Sequence, residues 1–226
     1  MRSFDWVLYL LVFTVVVGTL FANERSADAP EPPPTMLESD GCNSVGLLIA
    51  PDQYVPAARV TVDPDHDLAL ISTGRSPAAV KLDLDSPLRV GSEGYHVGYP
   101  QGRPGEVATR LLSRSKLITR GRRDGEEPIL AEIGRTQGLT GTLGGISGGP
   151  VFDKNGGVRG VIVAESPRRG RIYTAAPSSV EAFLTSLNVP ITEGPHEPFT
   201  ANTYGPQSDN ARRRLQVVKV ACQVRP

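Results

Sequence analysis

The sequence predicts an all-β domain closed by a C-terminal helix and preceded by one N-terminal transmembrane helix. Three observations carry this expectation. From residue 42 onward, short apolar runs are broken by Gly, Pro and Asp, which is the pattern of many strands joined by turns. Glycine and proline number 24 and 20 in 226 residues, a turn-rich composition that suits strands better than a helical bundle. Residues 6–22, WVLYLLVFTVVVGTLFA, carry no charge and sit at the short end of what spans a bilayer.

The first element is that apolar segment. Arg2 and the amino terminus flank one side, while Glu24, Asp28 and Glu31 outweigh Arg25 on the other. The positive-inside rule then places the N-terminus in the cytoplasm and everything after residue 22 outside. A cleaved signal peptide is the rival reading. Its small-x-small site, Ala27-Asp28-Ala29, runs directly into Pro30, which disfavours cleavage. Residues 23–41 read as a linker, because the run Pro30-Glu31-Pro32-Pro33-Pro34 favours an extended spacer.

Strands follow at 45–50, 68–72, 80–84, 95–99, 107–113, 129–133, 158–164 and 172–175. The turn Asp153-Lys154-Asn155-Gly156 signals a hairpin between 151–152 and 158–164. Ser178 and Ser179 are expected to cap a helix over 180–187, with Glu181 in its first turn. The tail 188–226 reads as loop to residue 210, then a helical turn at 209–214 and a late strand over 215–224. The expected organisation is an anchor at 1–22, the linker at 23–41, one folded domain at 42–187 and the tail.

Lys and Arg together balance Asp and Glu at 24 each, so net charge is zero. A wholesale polyanion binder is excluded on that ground. Arg103, Arg110, Arg114, Lys116, Arg120, Arg122 and Arg123 form a basic stretch, and Arg168, Arg169, Arg171 and Arg212-Arg213-Arg214 add to it. These read as solvated loops and strand faces, with an anionic surface or peptide partner as the alternative; no nucleic-acid-binding motif accompanies them. Two cysteines and three scattered histidines complete no zinc site. No metal or organic cofactor is expected. Outside the cytoplasm Cys42 and Cys222 could pair and tie the tail to the start of the domain. Two free thiols fit the sequence equally.

The segment with the clearest chemistry is Gly144-Gly145-Ile146-Ser147-Gly148-Gly149-Pro150-Val151-Phe152-Asp153. A serine becomes a nucleophile when its hydroxyl is exposed on a tight turn beside donors for a developing oxyanion. Glycines on both sides allow such a turn and let a substrate backbone approach. The N–H groups of Gly145 and Ser147 would form the oxyanion hole. The same GxSxG string occurs in α/β-hydrolases between a strand and a helix. Here Pro150, a hairpin and a strand follow at once, so no helix can start.

With GVRGVIVAE and RIYTAAPSSVEAFL after it, this serine string resembles the C-terminal barrel of trypsin-like serine peptidases, closest to the bacterial membrane-anchored or periplasmic kind. DPDHDLALI is similar to the aspartate strand of that family, and GYHVGYPQGRPGE to the segment opening its second barrel. The resemblance covers about residues 42–187. It implies two packed antiparallel β-barrels, a first over 42–94 and a second over 95–187, with a Ser-His-Asp triad in the cleft between them. By motif, Asp67 matches the triad aspartate and Ser147 the nucleophile. Gly141 and Thr142 would sit at the bottom of the S1 pocket, and Val163, Ala164 and Glu165 along its wall. No acid stands at that bottom, so a small apolar side chain is the expected preference. Ile146 replaces the acid that pairs with a freed N-terminus in trypsin-type activation.

The family's histidine is expected near Leu37, yet no histidine precedes His66. The domain is also short for a double barrel, which commonly runs roughly 200–250 residues. A deletion joined near Ser39-Asp40-Gly41 would account for both, and it would leave the first barrel incomplete. His66 adjoins Asp67, so on a strand the two side chains would point to opposite faces. His96 falls on a structural strand and His196 in the tail. The sequence thus describes a serine endopeptidase homologue acting on peptide bonds through Ser147 with Asp67, and lacking its base. The alternatives are a catalytically inactive, membrane-anchored module that binds peptides or proteins, and a deletion product that folds poorly.

Overall fold

The computed structural model describes residues 42–50, 53–73, 79–116, 126–191, 194 and 196–224. The expected anchor at 6–22 and the linker at 23–41 lie outside the described residues. Among the described residues no helix is long and apolar enough to cross a membrane.

The strands are β1 (Cys42–Ala50), β2 (Gln53–Pro56), β3 (Arg59–Asp63), β4 (Leu68–Ser72), β5 (Glu93–Gly98), β6 (Gly105–Lys116), β7 (Glu126–Arg135), β8 (Pro150–Phe152), β9 (Val158–Ser166) and β10 (Arg171–Ala175). Helices α1 (Pro177–Ser186) and α2 (Tyr204–Arg213) follow, and β11 (Lys219–Val224) ends the described chain. The fold is all-β and chymotrypsin-like. Six strands close into a barrel in the order β10-β7-β6-β5-β8-β9. Closure leaves those strands no free edge.

Alternation along the strands divides the apolar residues between two layers. Val107, Leu143, Ile146, Val151, Ile162 and Ile172 pack together as one buried cluster. Tyr95, Val97, Ala108, Phe152 and Val158 point the other way, against Phe199, Ala211 and Val217 of the tail. Residues 94–98 of β5 are buried throughout, His96 among them, so both faces of this strand are covered.

The N-terminal strands form no second closed barrel among the described residues. Instead β11, β1 and β2 make a three-stranded sheet, and β3 and β4 make a separate hairpin. Leu47 lies opposite Val220 on one side and Val55 on the other. Leu47, Ile71 and Val218 share a buried cluster, so the end of the chain completes the beginning. Leu68 and Leu70 of β4 pack with Val161, Val163, Val180 and Leu184, joining the hairpin to the barrel and to α1.

Several expectations change. Residues 80–84 form no strand; Leu82 makes one parallel bridge to Val158. Asp83 there pairs with buried Arg159 at 3.0 Å, which fixes the segment against the barrel wall without a ladder. Strands β2 and β3 were not expected, since Pro56 and Asp63 interrupt any long apolar alternation. Helix α1 starts at Pro177 with Ala176 before it and no side-chain cap. Proline's fixed φ suits the first helical position, so Ser178 and Ser179 fall inside the first turn rather than capping it. The tail carries a full helix over Tyr204–Arg213 instead of a turn at 209–214, held by buried Ser208, Ala211 and Arg212.

Candidate functional site

Ser147 sits between two sharp glycine turns. Gly145 and Gly148 adopt φ values of +93° and +88°, a region that residues with a Cβ rarely enter. The Ile146 N–H donates to the Leu143 carbonyl at 2.9 Å, and the Gly149 N–H to the Ile146 carbonyl at 2.9 Å. Two further bonds tie the loop to β9, from the Gly148 N–H to the Ile162 carbonyl at 2.8 Å and from the Ile162 N–H to the Gly149 carbonyl at 2.9 Å. The Ile146 side chain is buried to 2% exposure in the barrel cluster. An apolar side chain thus anchors the loop where the resemblance would have led one to expect an acid. Ser147 is left half-buried on top.

The N–H groups of Gly145 and Ser147 donate to no acceptor among the described residues, although their neighbours Gly144, Ile146, Gly148 and Gly149 all do. Two unclaimed backbone donors, one on the serine itself and one two residues before it, are the kind of group that can meet a developing oxyanion.

The lead-in to this loop meets β9. Glu165 accepts from the Leu143 N–H at 2.9 and 2.8 Å and is hydrogen-bonded by the Thr142 hydroxyl. Thr142 Oγ1 in turn accepts from the Gly144 N–H at 3.1 Å. Of the residues expected around an S1 pocket, Thr142 and Glu165 are hydrogen-bonded to each other. Gly141 is exposed, Val163 is buried, and Ala164 is half-buried. The capping by Glu165 was not legible in the sequence, because nothing at position 165 marks a partner on a distant loop.

Asp67 closes a turn rather than beginning a strand. Residues 64–67 form that turn, and β4 starts at Leu68. Asp67 has φ +56° and is 9% exposed. Strand alternation therefore does not govern the His66–Asp67 pair, contrary to expectation. His66 is held instead by Asp63, with Nδ1 at 2.7 Å from Oδ2. His96 lies on β5, fully buried. Its Nε2 is 2.8 Å from Thr109 Oγ1, and that hydroxyl donates to the Gly94 carbonyl at 3.0 Å. With the hydroxyl hydrogen used, the ring is assigned as the Nε2–H donor. Burial pushes the His96 pKa down to about 3. His196 is exposed in the tail, 3.5 Å from the Gly194 carbonyl.

Cys42 lies opposite Val224 and Cys222 opposite Val45 on neighbouring strands; their side chains lie outside the described residues. Among the described residues, no group of three His, Cys, Asp or Glu side chains is placed to hold a metal ion.

A serine on a glycine turn beside a closed six-stranded antiparallel barrel has the layout of a chymotrypsin-like serine peptidase domain. The sequence matches the trypsin-like peptidase domain family over residues 21–161, and the chain belongs to that family. A probable periplasmic serine endoprotease, DegP-like, from Bartonella henselae is 33% identical over 141 residues. That match takes in 61% of this chain and 26% of the relative's length. Among solved structures, the active form of the Rv3671c protease from M. tuberculosis aligns with a TM-score of 0.52 and 17% identity, covering 82% of this chain and 97% of that one. An HtrA-type protease, AlgW, solved with a decapeptide, aligns at TM-score 0.48 and 17% identity over 60% of this chain and 42% of that one.

Proposed function

We propose that this chain engages an extended peptide or protein segment at the Ser147 loop, as a trypsin-like serine peptidase homologue that hydrolyses it slowly or not at all. The observation that carries this reading is the fate of the histidines. None precedes His66 in the sequence. His66 is bound to Asp63, His96 is buried against Thr109, and His196 lies in the exposed tail. The family match spans 21–161 and so includes the position near Leu37 where the base is expected. The stretch around Leu37 holds no histidine. Without it the Ser147 hydroxyl keeps its ordinary acidity, and loss of a triad member costs several orders of magnitude in rate.

A working endopeptidase is the second reading, favoured by the unclaimed Gly145 and Ser147 N–H groups. Ser147 Oγ would attack the scissile carbonyl as its proton passes to a water molecule, those two N–H groups would hold the oxyanion, and its collapse would break the C–N bond and release an amine protonated from solvent. Donors of this kind retain roughly 10³–10⁴-fold catalysis over water even when the triad is incomplete. Asp67 would orient a base in that mechanism. Glu165, already engaged by Leu143 and Thr142, is in keeping with a small apolar S1 preference rather than a basic one.

The test uses the full chain and a fluorophosphonate probe, with the labelled residue read by mass spectrometry and Ser147→Ala as control. Selected peptides that bind the chain, lose binding on Ser147→Arg, and meet a serine that does not label support the first reading. Labelling at Ser147 transfers the case to the second.

The Bartonella relative is a probable periplasmic endoprotease, and together with the apolar residues 6–22 that supports an extracytoplasmic domain on a single N-terminal anchor. Reporter fusions after residue 41 check the side. A Cys42–Cys222 disulfide and two free thiols are the two states open in that compartment; the cysteines stand on neighbouring strands, with Cys42 opposite Val224 and Cys222 opposite Val45. A non-reducing peptide map checks the bridge.

A further inference from the structure

We infer that Gln101 is a positioning residue that holds the oxyanion loop in its formed conformation, taking over part of what a buried acid would do at position 146. The inference rests on the reading of Gly145 and Ser147 as an oxyanion hole.

Gln101 lies in the turn Pro100–Gly102 after β5 and adopts φ +53°. Its backbone N–H donates to the Gly144 carbonyl at 2.6 Å. Its side-chain Nε2 donates to two more carbonyls of the same loop, Thr140 at 2.8 Å and Thr142 at 2.9 Å. Only the amide nitrogen can serve two carbonyls, so the amide's orientation is fixed by its partners. One residue therefore binds alternate carbonyls at 140, 142 and 144.

The groups between them are also claimed. Arg135 Nη1 donates to the Gly141 carbonyl at 3.0 Å, and Glu165 accepts from the Leu143 N–H. In a trans peptide the C=O and N–H point in opposite directions. Drawing the Gly144 carbonyl toward Gln101 thus turns the Gly145 N–H away from it, free to meet a substrate. The approach is close, since a Cβ on Gly145 would lie 3.0 Å from the Tyr99 carbonyl. With Ile146 in the core, no ion pair at that residue can order this loop. The donors of Gln101 supply the order from the other side.

The test separates the donor from the shape. In the full chain, Gln101→Glu keeps the size of the side chain and removes its donors, while Gln101→Lys keeps a donor on a side chain of similar reach. Amide hydrogen exchange is read at Leu143 and Gly144, with Val97 and Val107 as barrel controls. Loss of these bonds should speed exchange at Leu143 and Gly144 by about tenfold in Gln101→Glu, leave the barrel amides unchanged, and be largely reversed in Gln101→Lys. Where Ser147 labels with the fluorophosphonate probe, the labelling rate should follow the same order. Where Ser147 does not label, the hydrolytic reading fails but exchange still decides the role of Gln101. Equal exchange in the parent and Gln101→Glu, or no recovery in Gln101→Lys, overturns the inference.

Discussion

Arg212 of α2 reaches back to Glu106 of β6, with Nη2 2.8 Å from Oε2 and both side chains about nine-tenths buried. The same nitrogen donates to the Gly105 carbonyl at 2.6 Å, and Nη1 pairs with Asp209 at 2.9 Å. The guanidinium also stands 5.8 Å from the centre of the Tyr99 ring. A tail expected to be loop to residue 210 with a helical turn at 209–214 is thus fastened to the barrel by a buried ion pair. Arg212→Ala would leave Glu106 buried without its partner, at a cost of about 3–5 kcal/mol. Arg214 pairs with Glu197 at an exposed site, so Arg214→Ala should cost only about 0–1 kcal/mol. Urea titrations of the two variants check this. Equal midpoints would mean that α2 is not part of the cooperative unit.

The parts read correctly from the sequence were those with strong local signals. The serine turn, the hairpin around Asp153–Gly156, and strands such as β4, β5 and β9 follow from glycines, an Asn-Gly pair and apolar runs. What the sequence did not show depends on partners far along the chain. Glu165 meets Leu143, Gln101 meets Gly144, and Arg212 meets Glu106 only once the barrel closes. The late strand was expected, and a Cys42–Cys222 bridge was one alternative that would bring it to the start of the domain, but the antiparallel ladder between β11 and β1 was not expected. The Asp67 turn was misread because an acid before LALI looks like the first residue of a strand, while its positive φ puts it in the turn.

His96 should make stability fall as the solution is acidified from near neutrality. Burial lowers its folded pKa to about 3, against 6.5 in the unfolded chain. Between those values the unfolded state binds a proton that the folded state does not. Stability from this group is therefore full above pH 6.5 and lost as pH falls toward 3, by about 1.4 kcal/mol per pH unit. Comparing pH 7 with pH 5.5 avoids most carboxylate titration. His96→Gln keeps a donor for Thr109 without the ionisation, and its stability should change less over that interval. An unchanged slope would show that His96 is not the group responsible.

Strand β11 protects an edge that β1 would otherwise present to solvent. Ala221 lies opposite Gly46, and Val218 packs on Leu47 and Ile71. Ala221→Pro removes a backbone donor within β11 and should break its pairing. The expected result is faster amide exchange along β1, with the strands of the closed barrel still protected. An exposed β1 edge should also raise self-association with concentration, seen by light scattering. Retained protection in β1 would mean that β11 contributes nothing to that sheet.

Glycine at 149 is required for a reason different from that at 145 or 148. A Cβ at Gly149 would lie 2.3 Å from the Val97 carbonyl oxygen and 2.9 Å from the Ile146 carbonyl oxygen. Both are backbone atoms held in a barrel strand or a hydrogen-bonded turn, so neither can yield cheaply. Gly144 has no positive φ, and the nearest atom to a Cβ there is Thr142 Oγ1 at 3.6 Å. Gly144→Ala should therefore stay within about 0.5 kcal/mol of the parent. Gly149→Ala should lose about 3 kcal/mol or more, as overpacking against backbone does at its upper end. Thermal melts of the two variants measure the contrast. A Gly149→Ala chain melting with the parent would mean that the serine loop does not lie directly on β5, and the placement of Ser147 over the barrel would fall with it.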